Sequence, residues 1–226
     1  MPTRRTPSHD GDALQSLAER AYTDLEELIV TLKLAPGTVV TEAALSQQLG
    51  IGRTPIREAL QRLARERLVR ILPRRGVMVS EIDIKAQLRL LELRREVERL
   101  IAGCAARRAT AEERKRFVAI AARMEKCAAD SDEVGFMRAD REFNDLCVQA
   151  AHNEFIVATM GMMSSLSRRF WFLHFRQAAD MPLTARLHAA VARAIAAGEE
   201  AAAASASDAL LDVIGQFTRA TVTVDF

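Results

Sequence analysis

The amino-acid sequence predicts a mostly α-helical protein, in which a small N-terminal part with a β-hairpin precedes a larger part made only of helices. Apolar residues recur every three or four positions along most of the 226 residues. β-branched runs on either side of a turn occur only between residues 68 and 79. Aromatic residues make up only 5% of the chain and alanine is abundant late in it, which favours packed helices over a sandwich or barrel.

The composition excludes several classes of protein. Hydrophobic residues at 49% and charged residues at 27% provide a core and an ordinary soluble surface. No apolar stretch approaches the roughly 18 residues of a membrane span, and the first residues lack the apolar core of a signal peptide. We therefore expect a cytoplasmic protein with no membrane partner. Cys104, Cys127 and Cys147 lack CxxC spacing and lie in helical patterns, so we expect buried free thiols.

The N-terminal part begins with helices of ordinary amphipathic pattern. We predict a disordered arm over residues 1–12 and a folded domain over 13–80. Ala13 to Leu34 carries leucines at helical spacing and is followed by a turn at Pro36 and Gly37. Thr41 to Leu49 predicts a short second helix with Thr41 as its N-cap.

A third helix follows a glycine-bounded turn at Gly50 to Gly52. Thr54 is the expected N-cap, and Pro55 the expected first helical residue, where its missing N–H costs nothing. The apolar residues of this segment recur at three and four, which predicts one buried stripe: Ile56, Ala59, Leu60 and Leu63. Arg53 and Arg57 lie off that stripe.

The β-branched runs then predict a hairpin. Leu68 to Leu72 and Val77 to Val79 flank a turn at Pro73 to Gly76. A helix-turn-helix followed by such a hairpin is a winged helix, which reads duplex DNA. Arg53 to Gly76 holds eight arginines against two glutamates, a net +6, whereas the whole chain is only +2. This local excess indicates phosphate binding. The alternative is a solvated, arginine-rich helix face.

Residues 81–83 predict a very short linker, and residues 84–226 an antiparallel bundle of about six helices. Capping residues and glycines mark the boundaries of these helices. The expected helices are Ile84 to Arg108, one opened by a capping box at Thr110, one capped by Ser131, Asn153 to Phe175, one from near Pro182 to Ala197, and Glu199 to Thr221.

Arg94 is a charged residue on an apolar helix face. Its neighbours Leu90, Val97 and Ile101 are all apolar. A buried arginine needs a partner, because an unpaired buried charge costs several kcal/mol. That partner is either a carboxylate of the protein, such as Glu98, or a carboxylate ligand held by the guanidinium fork. A third reading is that the stem covers apolar surface and the guanidinium reaches water.

Asp140 lies on a comparable face. Phe136, Phe143 and Cys147 surround it along the helix, and Asn144 follows one turn later. Two polar groups at this spacing can present themselves to one metal ion or one substrate.

Trp171 is the only tryptophan and lies in an aromatic run from Arg168 to Phe175. Such a run forms core, a dimer interface or the wall of a pocket, where Arg168 or Arg169 would add an anion contact.

The sequence contains no nucleophile–base pairing, phosphate-cradling glycine loop or zinc motif, so we expect no enzyme.

The segment Gly50 to Leu63, with the run Arg67 to Val79, resembles the DNA-binding domain of GntR-family transcription regulators. The helical remainder resembles the FadR-type effector domain of the FCD class, so that the resemblance covers about residues 14 to 220. It implies a dimeric regulator, a repressor, that binds an inverted repeat in double-stranded DNA and responds to a small organic-acid effector. The DNA contacts that we expect are Arg53, Thr54, Pro55, Arg57, Gln61, Arg74, Arg75 and Gly76.

In FCD domains an arginine matching Arg94 anchors an organic acid, and an aspartate with three histidines holds a metal ion. Asp140 and His188 match that set, whereas Asn144 and Leu210 replace two of the histidines. Because an amide is a poor ligand for transition metals, we expect no tight metal site from the residual set of Asp140, Asn144 and His188.

We expect instead a metal-free polar effector pocket, formed by Arg94, Asp140, Asn144, Trp171 and His188. Two rival readings stay open. A metal-dependent enzyme would need the two altered ligand positions. A constitutive DNA-binding dimer would use the bundle as a dimerisation core only.

Overall fold

The computed structural model describes residues 16–178 and 180–222, which form nine helices and one three-stranded sheet. The helices are α1 (Leu17–Val30), α2 (Glu42–Leu49), α3 (Arg53–Arg65), α4 (Ile84–Arg108), α5 (Ala111–Asp130), α6 (Glu133–Ala150), α7 (Glu154–Ala178), α8 (Met181–Ala197) and α9 (Glu200–Val222). The strands are β1 (Val39–Val40), β2 (Val69–Leu72) and β3 (Gly76–Val79). The predicted fold class, a winged helix-turn-helix followed by about six packed helices, is confirmed.

Helix α1 is shorter than the sequence pattern predicts. Ser16 caps it by accepting from the backbone N–H of Glu19 at 3.1 Å, and the expected residues 13–15 lie outside the described residues. The predicted end at Leu34 is wrong. The helix ends at Val30, because Leu32 adopts a left-handed conformation with φ +59°, which a helix cannot continue through.

The predicted caps of the helix-turn-helix are half confirmed. Thr41 caps α2 as expected, since its hydroxyl accepts from the N–H of Ala44 at 3.1 Å. The prediction that Thr54 caps α3 is wrong, because helical geometry starts at Arg53 and the N-cap is Gly52. Glycine has no side chain to accept a bond there. Pro55 is thus the third helical residue, still among those whose N–H has no partner within the helix.

The predicted hairpin is confirmed, with β2 and β3 antiparallel and Leu72 opposite Gly76. The sequence did not reveal β1, which pairs with β3 through Val39 and Met78. A two-residue strand carries no periodicity, and only its distant partner defines it. Gly76 at φ +111° lets β3 pass close to β1, because a Cβ atom there would overlap the carbonyl oxygen of Val40.

The bundle follows its predicted helices closely. Helix α4 spans the predicted residues and begins after Asp83, and Thr110 forms the predicted capping box with Glu113. The prediction that Ser131 caps the next helix is wrong. Ser131 ends α5 with φ +54°, and Asp132 caps α6 by accepting from the N–H of Gly135 at 2.9 Å.

Among the described residues, each part of the chain has a main hydrophobic core, and the bundle has a further small cluster around Phe136 and Met181. The N-terminal core packs α1 against α3, with the sheet beside them, around Leu25, Ile56 and Leu63. In the bundle core, α8 packs against α5 and α9, and α4 against α9. Helix α7 belongs to both, since Met163 lies in the bundle core while Leu166 packs against the N-terminal core. The two parts are therefore in contact through α7.

Candidate functional site

Two features carry chemistry, and the first is the outer face of α3. The predicted stripe of Ile56, Ala59, Leu60 and Leu63 is buried, each residue at most 3% exposed. Burial of this stripe against α1 turns the opposite face of the helix outward. That face presents the predicted DNA contacts of this element to solvent: Arg53, Thr54, Arg57 and Gln61. Pro55 is half-buried in the first turn.

Arg57 is held in place by Glu42, the first residue of α2. Its Nε donates to both carboxylate oxygens of Glu42 at 3.0 and 3.1 Å, and its Nη2 donates to Oε2 at 2.7 Å. These hydrogen bonds from Arg57 hold the pKa of the Glu42 carboxyl below its usual value. The pair holds the guanidinium between α2 and α3.

The tip of the hairpin carries two further arginines. Arg74 adopts φ +61° in the turn, and Arg75 donates its backbone N–H to the carbonyl of Leu72 at 3.0 Å. Both side chains are exposed. Within residues 16–178 and 180–222, the structure records no ion pair for either of them or for Arg53. Gly76 is half-buried and contributes backbone geometry to this site.

The second feature is a cavity of about 460 Å³ between the bundle helices and α1. All five residues predicted for the effector pocket line it: Arg94, Asp140, Asn144, Trp171 and His188. They come from α4, α6, α7 and α8, so the structure brings together residues that are far apart in the sequence. A cavity of this size suits a small organic ligand.

His188 and Asp140 form the polar centre of the cavity. His188 Nε2 lies 3.0 Å from Asp140 Oδ1, and Nδ1 lies 2.8 Å from the carbonyl oxygen of Thr184. A carbonyl oxygen and a carboxylate both accept, so this geometry favours the charged ring, in which both nitrogens donate. Burial opposes this charge, but the hydrogen bond and the charge of Asp140 outweigh it and raise the pKa of His188. Asn144 Nδ2 donates to Asp140 Oδ1 at 3.1 Å.

Arg94 pairs with Glu98, which is the first of the partners considered from the sequence. Its Nε donates to Glu98 Oε1 at 2.6 Å, and Arg94 is 9% exposed. The reading in which its guanidinium reaches out to water is therefore wrong. The recorded bond uses Nε alone, so the edge formed by the two Nη atoms is the one available to a ligand in the cavity.

The metal set of the resembling family does not fit these residues. Leu210 is 4% exposed and offers no donor atom, and Asn144 offers an amide that already donates to Asp140. Both ring nitrogens of His188 face oxygen atoms of the protein, Asp140 Oδ1 and the carbonyl oxygen of Thr184, whereas a metal ligand needs a free lone pair directed at the ion. Across the described part of the chain, no three His, Cys, Asp or Glu side chains are grouped so as to hold a metal ion.

Sequence reasoning did not identify one wall of the cavity. Tyr22, Glu26 and Arg62 line it from α1 and α3, the helices of the N-terminal part. Glu26 is 6% exposed and lies one turn after Tyr22 on the inner face of α1, so the criterion that singled out Arg94 would also have found it. Of the two arginines considered beside Trp171, Arg168 lines the cavity.

Arg169 instead anchors the linker. Its Nη1 donates to the carbonyl of Ser80 at 2.8 Å and its Nη2 to the carbonyl of Glu81 at 3.2 Å. Burial lowers the pKa of this guanidinium. Its role in the structure is to hold the segment between the two parts of the chain.

One part of the chain is thus a winged helix with an arginine-bearing outer face, and the other is a helical domain with a polar cavity. The family model described as "Bacterial regulatory proteins, gntR family" matches residues 17–79, and the one described as "FCD domain" matches residues 89–213. The chain belongs to the GntR family and carries an FCD domain.

Individual relatives agree with this assignment. A Streptomyces ambofaciens "Uncharacterized HTH-type transcriptional regulator in unstable DNA locus" is 44% identical over 62 residues, 27% of this chain and 26% of that protein, so the chain spans about a quarter of its length. The "Galactonate operon transcriptional repressor" of Escherichia coli is 28% identical over 201 residues, 78% of this chain and 86% of that protein. The solved structure of "E. coli McbR/YncC" has the same fold, with TM-score 0.73, 16% identity and coverage of 92% and 96%.

No helix in the described residues is both long and apolar enough to cross a membrane. The three cysteines are buried free thiols, as predicted.

Proposed function

We propose that this regulator is a repressor that binds DNA as a homodimer and is released by a small carboxylate that enters the cavity. The observation that carries the proposal is the cavity itself, since its polar centre is built by the FCD domain and its far wall by the DNA-binding helices. A ligand there touches both parts of the chain. The E. coli relative named as a repressor supports the direction of regulation.

The charges of the cavity favour an anion. Its lining holds four arginines against four carboxylates, and a protonated His188 adds one positive charge to this balance. Arg94 would grip the carboxylate through its Nη edge, and the amide of Asn144 and the Asp140 carboxylate would take hydroxyl or keto oxygens. We therefore expect a hydroxy or keto acid of a few carbons. No metal ion takes part in this proposal.

On the DNA side, the outer face of α3 would enter the major groove. Arg57 and Gln61 would read base edges, while the first-turn amides near Thr54 and the wing arginines Arg74 and Arg75 would contact the backbone. A symmetric dimer reads two half-sites, so the operator would be a short inverted repeat. Selection from random duplexes tests this directly.

The test of the ligand site is a thermal-shift screen with organic acids, followed by one pair of variants. Arg94→Ala should remove the stabilisation by the best acid. Arg95→Ala is the matched control, because Arg95 is the next residue of α4 but pairs with Asp208 and Asp212 outside the cavity. It should keep the full shift.

The rival function is a constitutive DNA-binding dimer, and one observation favours it: Arg94 already has a partner in Glu98. Under that reading no acid stabilises the protein, and Arg94→Ala lowers the melting temperature without any ligand effect. Circular dichroism of Arg94→Ala distinguishes loss of ligand binding from loss of the fold.

A further inference from the structure

Helix α7 joins the cavity to the DNA-binding helices through an ion pair. Arg168 Nη1 donates to Glu26 Oε1 at 2.9 Å, and both residues line the cavity. The next residue, Arg169, holds the linker carbonyls of Ser80 and Glu81. One turn of α7 therefore fixes both α1 and the linker, while the rest of the helix packs in the bundle.

Glu26 is the member of this pair that depends more strongly on its partner. Its side chain is 8% exposed, whereas that of Arg168 is 31% exposed and faces the cavity. A buried carboxylate that loses its cationic partner is strongly unfavourable, because nothing replaces the lost attraction or the lost water. If an anion drew Arg168 away, α1 would have to move so that Glu26 reached solvent.

A movement of α1 would be transmitted to α3. Tyr22 lies one turn before Glu26, and its hydroxyl donates to Glu66 Oε2 at 2.8 Å. The guanidinium carbon of Arg62, on α3, lies 3.6 Å from the centre of the Tyr22 ring. Arg62 also donates to Glu19 of α1 at 2.9 Å and to Glu66 at 3.2 Å. The two helices are tied together on the side that faces the cavity.

We propose that the cavity contains a second anion site at Arg168, and that an anionic group of the ligand binds there in competition with Glu26. The expected ligand is therefore an acid with two anionic groups, of which one binds Arg94 and the other binds Arg168. Displacement of Glu26 shifts α1 and α3 and weakens DNA binding. This inference rests on the proposed function of the cavity as the effector site.

A tethered charge tests this without knowledge of the natural ligand. Ser164 lines the cavity one turn before Arg168, so a group attached there reaches the Arg168 side chain. The full-length Ser164→Cys variant is labelled with sulfonatoethyl methanethiosulfonate, and in parallel with the neutral hydroxyethyl and cationic aminoethyl reagents. The buried native cysteines are controlled for by mass spectrometry of the labelled wild type. DNA affinity is measured by fluorescence anisotropy on a duplex selected from random sequence, with the unlabelled variant as reference.

The sulfonate adduct should bind DNA about fivefold or more weakly than the unlabelled variant, whereas the neutral and cationic adducts should stay within about twofold. In a Glu26→Gln, Ser164→Cys background the sulfonate should cause no further loss of DNA affinity, because position 26 then has no charge that needs Arg168 as its partner. Equal effects of the three adducts, or an undiminished sulfonate effect with Glu26→Gln, would overturn the proposal. If free acids release DNA but the tethered sulfonate does not, the proposed function stands and this inference fails. If the tethered sulfonate weakens DNA binding but no free acid does, the coupling of Arg168 and Glu26 to DNA binding stands, and the small carboxylate is rejected as the effector.

Discussion

At the scale of single residues, side chains of the protein surround the Asp140 carboxylate where the resembling family uses a metal ion. Asp140 Oδ1 lies 3.0 Å from His188 Nε2 and accepts a hydrogen bond from Asn144 Nδ2 at 3.1 Å. Asn144 contributes a donor where a histidine would contribute a lone pair. The amide at this position therefore gives the cavity centre a chemistry different from that of a metal ligand.

The imidazolium of His188 makes stability depend on pH. Its pKa in the folded protein is raised above the unfolded value of 6.5, with burial opposed and outweighed by Asp140. Its contribution is therefore complete below that value and is lost as pH rises through the folded pKa. Urea unfolding from about pH 6 to about pH 9 should show wild type losing stability relative to His188→Gln. A difference between the two proteins that does not change with pH would mean that His188 is neutral.

Restoring the two missing imidazoles should create a metal site. The variant Asn144→His, Leu210→His presents one carboxylate and three imidazoles, and elemental analysis should find about one zinc or nickel ion per chain. Binding should tighten as pH rises, because the metal must displace the proton from His188 Nε2. The unmodified protein should carry far less than one ion. One metal ion per unmodified chain would refute this account of the cavity.

Arg57 and Arg74 should differ in what they do on DNA. Arg57→Ala should weaken binding to the selected duplex by about tenfold while affecting random duplex much less, because a base contact is specific. Arg74→Ala should weaken both evenly and flatten the salt dependence by about one counterion. Anisotropy titrations at several salt concentrations measure both. Equal losses on the two duplexes for Arg57→Ala would exclude it as a base reader.

At the scale of elements, α7 is the shared member of two cores, and the three-stranded sheet fixes the wing. Gly76 is the residue on which the sheet depends, because β3 there approaches the backbone of β1 too closely for a side chain. Arg74 and Arg75 lie in the turn immediately before Gly76, so the pairing of β3 with β1 also determines where these two arginines lie.

Two glycine substitutions separate backbone strain from steric overlap. Gly76 and Gly50 both have positive φ, but a Cβ atom meets nothing within 4 Å at Gly50. Gly76→Ala should therefore destabilise the protein by about 1–3 kcal/mol more than Gly50→Ala, the usual cost of overpacking. Thermal or urea unfolding measures the difference. Equal losses of stability for the two variants would show that β1 shifts to accommodate the added methyl group without a measurable penalty.

Sequence reasoning succeeded at this scale wherever the determining contacts were local. The stripe of α3, the start of α4 after Asp83 and the capping box at Thr110 all depend on residues within one or two turns. It failed for β1, because the partner strand that defines it lies far away along the chain. It also missed the Glu26 wall of the cavity: the apolar face of α1 marks Glu26 as buried, but only the fold brings its partner Arg168 to it.

The grouping of the predicted pocket residues was only partly predictable from the sequence. Asp140 and Asn144 are one turn apart and their proximity follows from the helix alone, whereas the approach of His188 depends on α8 packing beside α6. For Arg94 the sequence allowed a protein carboxylate, a ligand carboxylate or water, and the structure shows the ion pair with Glu98.

For the whole molecule, the cavity and the DNA-binding helices form one continuous unit across α1 and α7. Under the proposed function, a ligand changes DNA affinity only by as much as its own affinity differs between the arrangement of α1 seen here and the proposed displaced one. The coupling is reciprocal, so DNA must weaken the ligand by the same factor. A typical coupling of this kind is about 5-fold to 150-fold.

The most direct test of this account is an anisotropy titration of the selected duplex at rising concentrations of the acid that gives the largest thermal shift. The DNA affinity of wild type should fall by about fivefold or more at saturation, while that of Arg94→Ala should stay constant. An acid that saturates the cavity of wild type and leaves its DNA affinity unchanged would contradict the account.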